Sequence, residues 1–390
     1  MPDARPHVLI AGVSTRALAE SAARAGYRVT AVDAFGDADL RAVAEVTAFS
    51  RDGGAPYTPG RAAEAARASG AALAAYVSNF ENYPEAVAAF SRGRRLLGNA
   101  PAVLQQVRNP LLLMRTLAAR GFAVPATRAS PPPPKLVGRR WLLKPRRSGG
   151  GHGTSAWHAG QAVSRRAYLQ ERIAGVPGSV AFVADGRRAV VLGLSRQLVG
   201  ERAFGARGFR YSGSLLAASG PPLFKRQAEL LERAIVLAAA VTESFGLVGL
   251  NGIDFIARNG VPVPIEVNPR YSASMELVER AAGASLFALH VEACAGRLTA
   301  APRLAARVFG KAIVYARQDV LVDDPARWTD AALADVPRAG ERIGRSHPIC
   351  TVLAAGVDGG RCRRALEVAA AAIYRATGRP ARSGLRRGAA

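Results

Sequence analysis

Short apolar runs and helical spacings alternate through the first hundred residues. Val8-Leu9-Ile10-Ala11 reads as a strand, followed by a turn at Gly12-Val13-Ser14-Thr15. Thr15 to Ala25 is helical, with Gly26 placed to end it, and Arg28 to Val32 is a second strand closed by Asp33. A further apolar run covers Ala71 to Val77 and is followed by Asn79-Phe80-Glu81-Asn82 and a helix. Strand–helix–strand order of this kind predicts a parallel sheet. The first turn carries a single glycine rather than G-x-G-x-x-G, so it gives little support to a dinucleotide site.

The second part of the chain reads differently. Leu111 to Arg120 is a helix closed by Gly121, and Pro131 to Pro134 is a stiff spacer. Trp141 to Lys144 is a strand that runs into Ser148-Gly149-Gly150-Gly151-His152-Gly153-Thr154. Tyr168 to Ile173 is strand-like. Ser179 to Val183 and Arg188 to Leu194 form a hairpin about Asp185-Gly186. Leu230, Ala234, Leu237 and Val241 recur at helical spacing and mark a core helix. Near the end, Lys311 to Tyr315 and Ile349 to Leu353 are strands, and Arg364 to Tyr374 is a last helix.

Two strands break the polar–apolar rule in an informative way. Ile253, Phe255 and Ala257 alternate with Asp254, and Val263, Ile265 and Val267 alternate with Glu266 and Asn268. The apolar sets claim the core, which leaves Asp254, Glu266 and Asn268 for the other face. A strict two-residue turn at Asn259-Gly260 would put Asp254 and Glu266 on opposite faces. A shared face needs an odd loop, for instance Arg258-Asn259-Gly260 with Gly260 left-handed, or an equivalent bulge. Two carboxylates and an amide on one face make an all-oxygen site suited to Mg²⁺ (with Mn²⁺ as a substitute), a cation that completes its shell with water and phosphate. The competing reading is an acid pair neutralised by Arg270 or another arginine. It explains neither the amide nor the glycine loop upstream. In that loop four glycines let backbone N–H groups approach an anion, Ser148 and Thr154 add hydroxyls, and Lys144 stands on the preceding strand. The lysine precedes the glycines, so this is not a P-loop.

Composition narrows the partners. A chain of 390 residues with 49% hydrophobic content can bury a large core in two to three domains. Neither an apolar run long enough for a membrane span nor a signal-peptide pattern is present. Cys294, Cys350 and Cys362 are scattered and odd in number, which fits a reducing cytoplasm. The net charge of +24 comes from 49 Arg and four Lys spread along the chain, so it reads as compositional bias more than as a nucleic-acid surface. The one basic run outside the fold is the tail, 379–390. In such a background the retained lysines, Lys135, Lys144, Lys225 and Lys311, are candidates for roles that a planar guanidinium cannot fill.

Taken in order, Lys144-Pro145, the glycine loop, Gln170-Glu171-Arg172-Ile173 and the Asp254/Glu266/Asn268/Arg270 set resemble the ATP-grasp superfamily, of the carboxylate–amine or –thiol ligase type. Pro337 to Ile343 with Pro348 to Val352 resembles the closing segment of biotin-carboxylase-type members. The resemblance implies an α/β fold. A Rossmann-like parallel-sheet pre-domain would span residues 1–104, a lid subdomain 105–174, a metal-bearing subdomain 175–304 and a β-rich closing segment 305–378, before a disordered basic tail. It implies that Lys144 contacts nucleotide phosphate and that Ser148 to Thr154 form the mobile loop over the triphosphate. Gln170, Glu171, Arg172 and Ile173 would line the adenine cleft, Glu171 meeting the adenine amino group. Asp254, Glu266 and Asn268 would hold Mg²⁺, and Arg270 would steady the transferring phosphoryl group. Family members commonly carry a further lysine where this chain has Arg108-Asn109-Pro110, and a ribose-binding glutamate where it has Val176-Pro177-Gly178-Ser179. The expected ligands are ATP, Mg²⁺, a carboxylate and an amine, and a homodimer is common in the family. Glu81, Asn82, Arg196, Tyr271 and Ser272 are candidate substrate contacts, as are Gln197 and 207–214.

The activity implied is ADP-forming C–N ligation through an acyl phosphate, tyramine–glutamate joining being one example in the superfamily. Two alternatives stand beside it: a bicarbonate-using carboxylase, and a non-catalytic nucleotide- or nucleic-acid-binding protein.

Overall fold

The computed structural model describes residues 5–49, 56–133, 140–217, 222–325, 328 and 332–378. The tail at 379–390, Lys135 and part of the Pro131 to Pro134 spacer lie outside the described residues.

The first sheet has five strands: β1 (His7–Gly12), β2 (Arg28–Asp33), β3 (Glu45–Ala48), β4 (Leu73–Tyr76) and β5 (Arg95–Leu97). They pair in the order β3-β2-β1-β4-β5, all parallel. Parallel strands need crossovers, and helix Arg16–Arg24 supplies the first, burying Leu18, Ala19 and Ala22. The order reverses direction between β1 and β4. A crevice opens there beyond the carboxyl ends of the strands, where such sheets receive ligands. Its lips are the loops after β1 and β4. Asp33 holds the first in shape, accepting from the backbone N–H groups of Thr15, Phe35 and Gly36 and from the Thr15 hydroxyl. Both of its oxygens are spent on the protein's own chain, so the acid that ends β2 serves the loop and not a ribose.

A small antiparallel sheet follows: β6 (Thr127–Arg128), β7 (Trp141–Pro145), β8 (Ser155–Ala156) and β9 (Ala167–Glu171), in the order β6-β9-β7-β8. The glycine-rich segment connects β7 to β8.

The third sheet is the largest. Its strands are β10 (Val176–Asp185), β11 (Ala189–Val199), β12 (Tyr211–Ala217), β13 (Val248–Arg258), β14 (Val261–Asn268) and β15 (Val308–Tyr315). After β16 (Val320–Leu321), two more join it: β17 (Leu333–Ala334) and, beyond β18 (Arg342–Ile343), β19 (Pro348–Gly356). The order is β14-β13-β10-β11-β12-β15-β19-β17. Helix Gln227–Phe245 packs on this sheet through Leu230, Ala234, Leu237 and Val241, all fully buried, as their spacing predicts, and Gly246 ends it in the left-handed conformation. Helices Met275–Ala282 and Leu286–Cys294, which sequence periodicity did not reveal, join the first sheet's core through Leu277, Val278, Leu286 and Phe287, in one cluster with Val8, Ile10 and Leu18.

The hairpin of β13 and β14 resolves the register question. The turn is the two-residue form, Asn259 and Gly260 both having positive φ (50° and 75°), so the three-residue loop is not used. A bulge supplies the odd residue instead. Phe255 pairs with Pro264 while Asp254 pairs with Glu266, which leaves Ile265 extra on β14. Asp254 and Glu266 are therefore direct cross-strand neighbours on one face.

His290 shows how the two halves are joined. Its Nδ1 accepts from the backbone N–H of Leu250, and Nε2 lies 3.2 Å from the Leu97 carbonyl. Burial pushes this imidazole down from 6.5 to about 4. The unfolded chain therefore binds a proton that the native state refuses between these values, and stability falls as pH drops through that window. Denaturant titrations between pH 7 and 4 should show a loss from this residue of ~3 kcal/mol, and His290→Gln should flatten the pH 5 to 6.5 part of the profile. An equally steep profile in the variant would assign the effect elsewhere.

Candidate active site

The crevice of the first sheet, the glycine-rich segment and the polar face of the large sheet enclose one cleft of about 1030 Å³. That is at the upper end of the ~300–1000 Å³ usual for small-ligand pockets, enough for more than one reactant. Asp254, Glu266 and Asn268 line its floor, with Lys144, Arg108, Gln170, Glu171, Arg172, Ile173 and Arg270 around them.

On the floor, the Asp254 carboxylate accepts from Gln197 Nε2 at 2.9 Å and from Asn268 Nδ2 at 3.1 Å. Burial, and then the adjoining Glu266 charge, push its carboxyl up to about 7. Glu266 moves the other way: burial opposes ionisation, but the charges of Lys144 and Arg108 outweigh it and hold Glu266 below the usual carboxylate range. Glu266 is therefore the more firmly ionised of the two acids, and Asp254 the one that holds its proton more readily. Among the described residues no group of three or more His, Cys, Asp or Glu gathers as a metal site. The donor set is two carboxylates and an amide, which suits a hard cation that keeps water and phosphate in its shell.

Lys144 projects from β7 over this pair. Burial works against its charge, yet the Tyr168 and Glu266 interactions raise its pKa above the ordinary value. Gln170 holds it, accepting from Lys144 Nζ at 3.0 Å, and donates through Nε2 to the carbonyl of the bulged residue Ile265 at 3.1 Å. The Gln170 amide is thus engaged in tying the small sheet to the hairpin of β13 and β14. Glu171 accepts from the Ala126 backbone N–H, and Arg172 lies over the Phe209 ring.

Arg108 occupies the position where the family lysine was missing. It donates to Asn82 Oδ1 through Nε and Nη2, to the Val267 carbonyl through Nη1 and to the Ser148 carbonyl, and its Nη1 stands 3.8 Å from Glu266. Arg270 pairs with buried Glu81 at 2.9 Å and donates to Asn268 Oδ1 at 3.2 Å. Glu81 and Asn82 therefore brace the two arginines and do not themselves line the cleft. Arg196 is also not among the lining residues. Its neighbour Gln197 is, and alternation along β11 sends the two side chains to opposite faces. Tyr271 lines the cleft, but its hydroxyl donates to Glu279, whereas Ser272 presents its hydroxyl beside that of Ser274.

Of the glycine-rich segment, Ser148, Gly149, Gly150, Gly151 and Thr154 line the cleft, and Gly153 is turned against Pro145. Gly150 accepts from the Tyr211 N–H, which lays the segment across the start of β12. Gly151 is left-handed (φ 75°), and a Cβ there would stand 1.8 Å from the Phe209 carbonyl oxygen. Gln197 and Ser214, expected from the sequence to face the cleft, do line it, and so does Lys311, which the lone-lysine argument singled out without placing it; Arg16 was missed.

Residues 107–274 match the sequence model of the ATP-grasp domain. An uncharacterized protein of Methanocaldococcus jannaschii is 29% identical over 114 residues, a match that spans 29% of this chain and 28% of that relative. Among solved structures, N5-carboxyaminoimidazole ribonucleotide synthetase from Thermus thermophilus superposes with a TM-score of 0.65 at 20% identity, covering 96% of this chain and 99% of that one. Biotin carboxylase from Campylobacter jejuni superposes at 0.68 with 13% identity, covering 93% and 90%. Rhizobium etli pyruvate carboxylase superposes at 0.72 with 15% identity, covering 94% of this chain and 37% of that one. At these identities the likeness is one of fold, and it matches the α/β architecture with a parallel-sheet first unit. Among the described residues no helix is long and apolar enough to cross a membrane.

The left-handed Gly151 provides a direct test of the glycine segment. Gly151→Ala must displace the loop from Phe209, so nucleotide affinity measured by calorimetry should fall by about tenfold or more while the melting temperature changes little. Unchanged affinity would remove the segment from the nucleotide site.

Proposed function

We propose that the protein is an ATP-dependent, ADP-forming ligase that joins a carboxylate to an amine through an acyl phosphate. The observation that carries this reading is the placement of Asp254 and Glu266 side by side on one cleft face, under Lys144 and the glycine-rich segment. The residues fit a divalent cation: Asp254 and Glu266 offer carboxylate oxygens, and Asn268 offers its amide oxygen once that amide turns from Arg270. Bound there, Mg²⁺ would supply charge neutralisation of the nucleotide phosphates.

In this reading Lys144 holds a terminal phosphate oxygen as a point charge, and Gln170 fixes where that charge sits. Arg108 steadies the phosphates from the side of the first sheet, at the position the family lysine would fill. Arg270, locked by Glu81, faces the oxygen that gains charge as the substrate carboxylate attacks the γ-phosphorus. ADP leaves, and the amine nitrogen then adds to the acyl carbon and expels phosphate. The chain contributes position and fixed charge more than covalent chemistry, as phosphoryl transfer requires. The glycine-rich segment over the cleft excludes water that would otherwise hydrolyse the acyl phosphate. Tyramine–glutamate-type joining in cofactor synthesis is one reaction of this class. A bicarbonate-using carboxylation is the second reading, supported by the names of the synthetase and carboxylases whose fold it shares. A nucleic-acid role rests on charge alone.

The test is an ADP-release screen in which carboxylates are crossed with amines, with bicarbonate as a separate arm and Glu266→Gln as the blank. Amine-dependent release that falls by about 10²-fold or more in the variant supports ligation, by analogy with loss of a transition-state charge stabiliser. Bicarbonate dependence would favour carboxylation, and activity unchanged in Glu266→Gln would remove the metal assignment.

A further inference from the structure

The cleft has a second end that the nucleotide machinery does not use. It is walled by Ser14 and Arg16 from the first sheet's side, Ser272 and Ser274 before helix Met275–Ala282, and Lys311, Asp335 and Thr351 from the closing strands. Arg16, 2% exposed, contacts Glu276 at 2.6 Å, Glu20 at 3.1 Å, Asp335 at 3.1 Å and Asp39 at 3.5 Å. Asp335 also accepts from Thr351 and Ser14. Every donor of Arg16 and both oxygens of Asp335 and Glu276 are therefore committed within the protein.

Lys311 is the exception. It is 4% exposed, lines the cleft and donates to Glu276. An ammonium has three donors, and among the described residues the other two have no protein acceptor. The Ser272 and Ser274 hydroxyls share a single bond, 3.3 Å long, and so keep donor capacity as well. The capacity left open at this end is for donation, which an anion satisfies.

Register places Lys311 relative to the metal-type acids. Asp254 pairs with Ser179, Ser179 with Ser195, Gln197 with Ser214 and Ser214 with Lys311, so one polar stripe crosses β13, β10, β11, β12 and β15 on the cleft face. Four strand steps make about 19 Å of backbone, more than a lysine and an aspartate side chain span together. Lys311 therefore does not grip the oxygens held over Asp254 and Glu266.

We propose that Lys311, with Ser272 and Ser274, binds a second anionic group, carboxylate or phosphate, on the non-nucleotide substrate, and so selects substrates that carry an anion remote from the reacting carboxylate. This rests on the ligase reading for its substrate but not for its test, because binding is read without turnover. The probes are glutarate, 3-phosphoglycerate and butyrate, titrated into the full chain by calorimetry, with Lys311→Met and Lys311→Arg beside the wild type. Loss of a charge-assisted contact should weaken glutarate or 3-phosphoglycerate binding by roughly 10- to 100-fold in Lys311→Met. Butyrate should be unaffected and affinity partly kept in Lys311→Arg. Which dianion loses more identifies the group. Because Lys311→Met leaves Glu276 with Arg16 alone, Lys311→Met/Glu276→Gln serves as a second variant that removes the unpaired charge. Equal affinities of wild type and both variants for all three probes, or no preference of the wild type for a dianion over butyrate, overturn the proposal. A wild type that selects the dianion but releases no ADP with any substrate would instead count against the ligase reading.

Discussion

Two carboxylates placed side by side on a sheet repel each other, and this repulsion organises much of the molecule. Asp254 and Glu266 are cross-strand partners in a setting that disfavours charge, and the pair responds by splitting: Asp254 is pushed up to about 7 while Glu266 stays ionised. What keeps Glu266 charged is Lys144 from the small sheet and Arg108 from the segment that follows the first sheet. Gln170 fixes Lys144, Asn82 fixes Arg108, and Glu81 fixes Arg270. The three parts of the fold are thus drawn around one pair of acids on the floor of the cleft.

The same constraint makes sense of the bulge. With a two-residue turn, unbroken pairing would send Glu266 to the core face, where a carboxylate is costly. The extra residue, Ile265, restores the shared face, and its carbonyl is used by Gln170. A local irregularity in one strand thereby sets both the position of an acid and the anchor of the lysine opposite it.

Much of this was legible from the residues. Alternation alone set Asp254, Glu266 and Asn268 apart from Ile253, Phe255 and Val267, and parity required either an odd loop or a bulge. Which of the two is used was not legible, because Asn259-Gly260 fits a tight turn and Ile265 carries no mark of a bulge. The helical spacing from Leu230 to Val241 showed a core helix. The short strands β3 and β5, and helix Leu286–Cys294, lacked a clear period and took their form from tertiary packing. Arg16, Glu276, Lys311 and Asp335 were invisible as a group, since Arg16 reaches Glu276 and Asp335 across some 260 to 320 positions, Lys311 reaches Glu276 across 35, and no local pattern joins them. Glu81 and Asn82 were noticed as polar residues at a strand end. Their use as braces for Arg270 and Arg108 depends on partners far along the chain.

The central claim is that this acid pair is a divalent-cation site facing nucleotide phosphate. The most direct measurement is anomalous scattering from crystals grown with Mn²⁺ and a non-hydrolysable ATP analogue. The account predicts manganese peaks within coordination distance of Asp254, Glu266 and Asn268, with the triphosphate between them and Lys144. Manganese elsewhere, or a nucleotide bound with these three side chains still hydrogen-bonded only to protein, would contradict it.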